Sequence, residues 1–244
     1  MILAPATSQA RRLASVGLLA VLLAGCASVP AVAPTPSPAA PATLPPTTPP
    51  YTLAPTPTGC PTSAPAALSG TATVTMTTNF GNIVIKVDSS LGPIAAGTFV
   101  ALAKCGYYND VIFHRIVTGF VIQAGDGTYG REPSLDLSKV GTGGPSWTIT
   151  DDPVKTAYKR GTVAIANTGA ANSGSSQFFI VLSDTAWTAT TPKTYSIFGD
   201  VTGGLDVVDR IANVPTGGEP GSDGSPASLP LQPIVITGTT VTTP

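Results

Sequence analysis

Charged residues are scarce in this chain. Lys, Arg, Asp and Glu make up 10% of the 244 residues, and 12 basic against 13 acidic side chains leave a net charge of −1. The sequence contains no basic run, so it lacks the electrostatic footprint of a nucleic-acid-binding protein. We therefore expect no nucleic-acid partner.

Histidine occurs once, at His114, and cysteine three times. This scarcity nearly excludes metal sites built from His and Cys, so we expect no metal and no cofactor. A Ser-His-Asp hydrolase would have to use His114, but no G-x-S-x-G nucleophile elbow is present. We interpret His114 as a core or supporting residue instead.

The N-terminus has the pattern of an export signal. Arg11 and Arg12 precede an apolar run over residues 13–24, and this run is short of the ~20 residues needed to span a bilayer. It ends in Leu-Ala-Gly-Cys, which resembles a bacterial lipobox. The resemblance implies a signal peptide over residues 1–25 and a lipid on Cys26, with soluble release after cleavage as the alternative.

Residues 26–69 predict a disordered linker. Of the 25 prolines, 13 lie between Pro30 and Pro65 among Ala, Thr and Ser, and no charged residue occurs between Arg12 and Lys86. Such a segment cannot bury a core and could extend to at most ~120 Å. We therefore expect a lipid to hold the protein on the outer face of the cell membrane, with one folded domain over residues 70–244.

Cys60 and Cys105 remain once Cys26 is assigned to the lipid. In an oxidising compartment such a pair suggests a disulfide, here between the end of the linker and the domain. Two unrelated thiols are the alternative.

Beyond residue 70 the sequence becomes alternating and β-branched, which indicates many short strands. We expect strands at residues 71–77, 82–87, 112–117, 120–124, 162–166, 178–182, 195–198 and 233–241. We expect helices at residues 94–105 and 205–212, the first ending before Gly106. This pattern predicts a β-barrel or sandwich capped by helices and does not choose between the two.

One segment, FHRIVTGFVIQAGD from Phe113 to Asp126, predicts a β-hairpin that turns at Gly119. Antiparallel pairing would set Arg115 opposite Gln123 on the same face of the sheet. The two polar side chains would then share one site. The alternative is that both are ordinary solvated strand residues.

This hairpin and four further motifs resemble the cyclophilin family of peptidyl-prolyl isomerases, in order, from about residue 73 to residue 241. The further motifs are GTGGP at 141–145, AIANT at 164–168, SSQFF at 175–179, and Trp187 followed by FG at 198–199. The resemblance implies a closed eight-stranded antiparallel β-barrel capped by two helices. It also implies peptidyl-prolyl cis-trans isomerase activity.

By this resemblance, Arg115 and Gln123 are the catalytic residues: Arg115 donates to the prolyl nitrogen and Gln123 hydrogen-bonds the substrate backbone. The implied substrate-binding residues are Phe120, Val121, Ala166, Asn167, Gln177, Phe179, Trp187 and Tyr195. Three positions depart from the family pattern: Val121 replaces a usual Met, Thr188 a common Leu and Tyr195 a frequent His. We expect the first two to make the pocket shallower or more polar, which bears on affinity for the family's cyclic-peptide inhibitor and on the rate with a given peptide more than on the reaction itself.

The sequence thus predicts an extracytoplasmic, membrane-tethered isomerase that acts on proline-containing segments of exported proteins. Because no coiled coil or apolar repeat is visible, we expect a monomer. The alternative is a proline-peptide binding module or chaperone on the same fold with little turnover, and a hydrolase is a distant third.

Overall fold

The computed structural model describes residues 55–188, 193–217 and 228–244. The expected signal peptide, Cys26 and the greater part of the expected linker lie outside the described residues. No helix within the described ranges is long and apolar enough to cross a membrane.

The described residues form ten strands and two helices. In chain order they are β1 Thr71–Thr78, β2 Gly81–Asp88, α1 Pro93–Lys104, β3 Val111–Val117, β4 Val121–Ala124, β5 Thr162–Ile165, β6 Phe178–Val181, β7 Ile197–Gly203, α2 Leu205–Ala212, β8 Thr216–Gly217, β9 Leu229–Pro230 and β10 Val235–Thr242. Eight of the strands close a barrel in the order β1-β10-β3-β4-β6-β5-β7-β2, with every neighbouring pair antiparallel. This confirms the expected fold class.

Helix α1 packs against the core of the barrel. Pro93 stands at its first position, where a missing N–H costs nothing, and Gly106 beyond its end has φ 75°. No local side chain caps its N-terminus, but the distant carboxylate of Asp152 accepts hydrogen bonds from the Ile94 and Ala95 amides. From this helix Phe99 packs against Phe178 and Phe198, with ring centroids 5.2 and 4.6 Å away.

Strand β7 extends to Gly203, whereas the expected strand ends at residue 198. The sequence that follows, Gly-Asp-Val-Thr-Gly, has the composition of a turn and does not by itself predict a strand. Gly199 lies so close to β2 that an added Cβ would be 2.3 Å from the Lys86 carbonyl oxygen. The glycine therefore permits close strand contact here rather than ending the strand.

Residues 55–69, which the sequence analysis places in the linker, lie against the barrel in the structure. Cys60 and Cys105 form a disulfide with an S–S distance of 2.06 Å. The Leu68 amide donates to the Pro93 carbonyl at 2.9 Å, and the Trp147 indole donates to the Pro61 carbonyl at 3.1 Å. The disulfide suggested by the sequence is therefore confirmed. Proline content gave no sign of the two hydrogen-bond partners, because they are far away in the sequence.

Candidate active site

A row of side chains crosses the outer face of the barrel. Along β4 and β6 the side chains alternate, and Ile122, Ala124, Phe178 and Ile180 belong to the main core. Val121, Phe179 and Val181 belong to a second apolar cluster on the other face. Register places Arg115 beside Gln123, Gln123 beside Phe179, and Phe179 beside Ala164. The expected pairing of Arg115 with Gln123 is therefore confirmed.

A β-bulge in β3 turns Arg115 outwards. Phe113 pairs with Ala124 while Arg115 pairs with Gln123, so His114 is an extra residue in this strand. In a regular strand Phe113 and Arg115 would share a face, but Phe113 lies in the main core. The bulge lets one residue fill the core and the other reach the outer face.

A chain of hydrogen bonds links Arg115 to the glycine loop. Arg115 Nη1 donates to Gln123 Oε1 at 3.3 Å, and Gln123 Nε2 donates to Gln177 Oε1 at 2.9 Å. Gln177 Nε2 in turn donates to the carbonyls of Gly141 and Gly143, both at 2.9 Å. The network holds the Gln123 amide in one orientation beside the guanidinium.

Aromatic rings form the apolar part of the site. Trp187 stacks with Phe120 and Phe179, at centroid distances of 4.8 and 5.6 Å, and Tyr195 meets Phe179 edge-on at 5.2 Å. Val121 and Phe179 are only 2% and 4% exposed, so they form a packed floor.

These groups enclose a cavity of about 300 Å³. Its lining residues are Arg115, Phe120, Val121, Gln123, Ala166, Asn167, Phe179, Trp187 and Tyr195. The structure thus brings together nine of the ten residues that the sequence analysis assigns to catalysis or substrate binding. The tenth, Gln177, lines an adjoining cavity instead. A pocket with one charged edge and an apolar floor can hold a small ring and polarise a group beside it.

Tyr158 supports this wall and was missed by the sequence analysis. Its ring stacks on Trp187 at 4.2 Å, and its hydroxyl donates to the Tyr195 carbonyl at 2.7 Å and accepts from the Tyr195 amide at 3.0 Å. Burial raises the pKa of Tyr158 to about 12, so the hydroxyl stays protonated. Tyr158 lies in a segment without helix or strand periodicity, which left no signal in the sequence.

His114 lies inside the protein and does not line the cavity. It is 5% exposed, and neither ring nitrogen has a hydrogen-bond partner among the described residues. Burial lowers the pKa of His114 to about 4, although the Asp126 carboxylate opposes the shift. The imidazole is therefore neutral near pH 7 and is not placed to exchange protons with a ligand, as its interpretation as a core residue requires.

A second cavity of about 440 Å³ adjoins the first and shares Gln123, Ala166 and Asn167 with it. Its other lining residues are Gly141, Thr142, Gly143, Gly144, Pro145, Trp147, Thr148, Thr168, Ser173, Ser175 and Gln177. The buried Asp126 carboxylate holds this loop, since it accepts the amides of Gly141 and Gly143 at 2.8 and 2.9 Å. A Cβ on Gly143 would lie 2.4 Å from Asp126, so glycine is required for this contact.

The sequence of the folded domain is similar to that of known proteins. Residues 73–241 match the family model described as cyclophilin type peptidyl-prolyl cis-trans isomerase/CLD. A peptidyl-prolyl cis-trans isomerase of Acinetobacter baylyi is 38% identical over 172 residues, which cover 70% of this chain and 85% of the relative. Peptidyl-prolyl cis-trans isomerase B of Escherichia coli is 34% identical over 179 residues, which cover 69% and 98%.

The fold also matches solved structures. The crystal structure of a cyclophilin type peptidyl-prolyl cis-trans isomerase from Cryptosporidium parvum has a TM-score of 0.58 and 26% identity, covering 71% of this chain and 99% of that one. A second structure of that protein, in the presence of the dipeptide Ala-Pro, has a TM-score of 0.57.

Proposed function

Since this chain belongs to the cyclophilin-type peptidyl-prolyl cis-trans isomerases, we propose that it isomerises Xaa-Pro bonds in exported proteins and that Arg115 stabilises the twisted amide. The observation that carries this mechanism is the position of Arg115. Its guanidinium lies beside Gln123 at the edge of a cavity whose apolar floor can hold a proline ring.

The reaction needs neither a nucleophile nor a proton shuttle. The barrier of ~18–20 kcal/mol comes from amide resonance, which rotation removes. In the twisted amide the prolyl nitrogen becomes pyramidal and localises its lone pair, so it accepts a hydrogen bond that the planar amide cannot accept. Arg115 remains charged at every relevant pH, and a donor aimed at this nitrogen binds the transition state better than the ground state.

The apolar floor has a separate task. It must hold the proline ring while the carbonyl of the preceding residue rotates, and it must not form hydrogen bonds with the amide. Val121 and Phe179 are buried, and Trp187 stacks with the rings of Phe120 and Tyr158. Burial of three proline methylenes would contribute about 2.4 kcal/mol, which suits a weakly held, rapidly exchanging substrate.

The cellular location is part of the proposal. A lipid on Cys26 would tether the monomeric domain to the outer face of the cell membrane, where exported chains fold. The Cys60–Cys105 disulfide supports an oxidising compartment, because such bonds persist outside the cytosol. Intact mass of the cell-derived protein tests this: a diacylglyceryl group on Cys26 is expected, and an unmodified Cys26 in membrane fractions would contradict it.

The mechanism is tested with Arg115→Ala and Arg115→Lys on an Ala-Ala-Pro-Phe peptide. We expect the Ala variant to lose about 10²–10³-fold in kcat/KM, as for removal of a donor to developing charge. Peptide affinity should change much less. The Lys variant keeps the charge without the planar fork, so it should recover only part of the rate.

Two results would contradict the proposal. Wild-type protein that binds the peptide without accelerating isomerisation would favour the binding-module alternative. A rate that breaks between pH 5.5 and 8 would implicate a titrating catalytic group, whereas the arginine mechanism predicts a flat profile over this range.

A further inference from the structure

Residues 60–68 precede the family region, which begins at residue 73, yet one of them contacts a residue that lines the second cavity. The segment runs along α1 against its chain direction. Cys60 is joined to Cys105 beyond the C-terminal end of α1, and the Leu68 amide donates to the Pro93 carbonyl at its N-terminal end. We name residues 60–68 the strap.

The strap lies directly on the backbone of α1. At Gly97, in the middle of the helix, an added Cβ would be 2.1 Å from the Ala66 carbonyl oxygen and 2.8 Å from the Leu68 nitrogen. Glycine weakens an exposed helix by about 1 kcal/mol relative to alanine. At this position, however, any larger residue would collide with the strap. The strap is therefore held at both ends and in between.

Trp147 connects the strap to the second cavity. Its indole nitrogen donates to the Pro61 carbonyl at 3.1 Å, and its own carbonyl accepts from Ser175 Oγ at 2.9 Å. The indole has a single N–H donor, and the Pro61 carbonyl accepts it. That partner is the residue next to the disulfide, and Trp147 is one of the residues that line the cavity of about 440 Å³.

The second cavity adjoins the one beside Arg115. Gln123, Ala166 and Asn167 line both, and Gln177 hydrogen-bonds Gln123 from the second cavity. A peptide with its proline ring in the first cavity therefore places neighbouring residues beside the second, close to Trp147.

We propose that the strap is a specificity-determining part of the enzyme: the Cys60–Cys105 disulfide fixes Pro61, Pro61 orients Trp147, and Trp147 shapes the second cavity for residues flanking the isomerised proline. This inference rests on the proposed function for the identity of the ligand, a proline-containing peptide. Trp147 is a specificity-determining residue in this scheme, and Pro61 and the disulfide are positioning elements.

The first test observes the indole directly. The chain has two tryptophans, so a ¹⁵N spectrum of the full chain shows two indole signals, and Trp147→Phe identifies one of them. In Cys60→Ser/Cys105→Ser we expect the Trp147 signal to shift and its N–H to exchange at least about tenfold faster. The Trp187 signal should stay in place. An unchanged Trp147 signal would overturn the proposal.

The second test measures peptide affinity, which does not depend on turnover. The short probe is Ala-Ala-Pro-Phe, and the long probe extends it by two alanines at each end. We expect the double cysteine variant to weaken the long probe about 3–10-fold more than the short one. Adding Trp147→Phe to that variant should cause no further selective loss, since both changes act through one contact. Equal weakening of both probes, or additive effects, would refute the inference.

Gly97→Ala separates the strap from the cysteines themselves. It leaves the disulfide in place but must displace the Ala66 carbonyl, so it should also shift the Trp147 signal and weaken the long probe selectively. A Gly97→Ala protein with wild-type spectra and affinities would count against the strap. If wild-type protein binds both probes but isomerises neither, the proposed function fails while the ratio of affinities still decides this inference.

Discussion

The stability of this protein should fall between pH 7 and pH 5 because of one buried side chain. His114 is the single histidine of the chain, is 5% exposed and has its pKa lowered to about 4 by burial. The Arg115 charge adds to the shift and the Asp126 carboxylate opposes it. Asp88, Asp136 and Asp206 also have lowered pKa values, so their contributions are lost only in more acidic solution.

The sign and size follow from proton linkage. In the unfolded chain the pKa of histidine is ~6.5, so between pH 6.5 and 4 the unfolded state binds a proton that the folded state does not. The stability contributed by neutral His114 is therefore fully present above the unfolded-state pKa of ~6.5 and is lost as the pH falls towards the folded-state pKa. The loss amounts to ~2 kcal/mol at pH 5 and ~3 kcal/mol at pH 4.

Urea unfolding at pH 7.5, 6.0 and 5.0 measures this loss, and His114→Leu is the matched control. Leucine has a similar volume and does not titrate, and neither imidazole nitrogen has a hydrogen-bond partner in the described part of the chain. The variant should show an almost flat free energy of unfolding over this range. The reasoning is refuted if wild-type protein loses less than ~0.5 kcal/mol between pH 7.5 and 5, or if the variant shows the same slope.

Three further predictions concern the supports of the site. Asp126→Asn leaves one acceptor oxygen where the carboxylate receives loop amides on both oxygens, so unfolding should become easier by ~2 kcal/mol; an unchanged urea midpoint would contradict this role. Phe179→Ala removes the cavity floor and should cost ~3 kcal/mol in stability, while Phe179→Leu should retain most of the peptide affinity, as peptide titration can check. Tyr158→Phe keeps the stacking on Trp187 but removes both hydrogen bonds to Tyr195, which predicts ~1–2 kcal/mol of lost stability; thermal unfolding at wild-type values would show that the rings alone hold the wall.

Local pattern predicted most elements. Helix α2 has the predicted bounds, and the two hairpins centred near residues 79–81 and at Gly119 form as their alternation and turn residues indicated. The end of α1 also agrees, because Gly106 supplies the positive φ that such an end requires. The strand predicted at residues 195–198 ends before β7 does, because Gly199 permits a close contact with β2 that the sequence does not reveal.

The sequence predicted which residues line the site but not which residues hold the site in place. The residues lining the cavity beside Arg115 were predicted from the family resemblance, whereas Tyr158, Asp126 and Trp147 make supporting contacts around the site with partners more than ten positions away in the sequence. None of the three lies in a periodic pattern that would reveal its role. Sequence periodicity reports a residue's own strand or helix, and these roles depend on neighbouring segments.

By itself the sequence determined the alternation of the strands, the position of the turns and the set of polar and aromatic residues available for proline chemistry. These are consequences of short-range sterics and of residue type. Only the tertiary structure decided that the bulge at His114 turns Arg115 out of the barrel and that residues 60–68 pack on α1. Both depend on which distant segments meet, and that is settled by closing the barrel around one core rather than by any local preference.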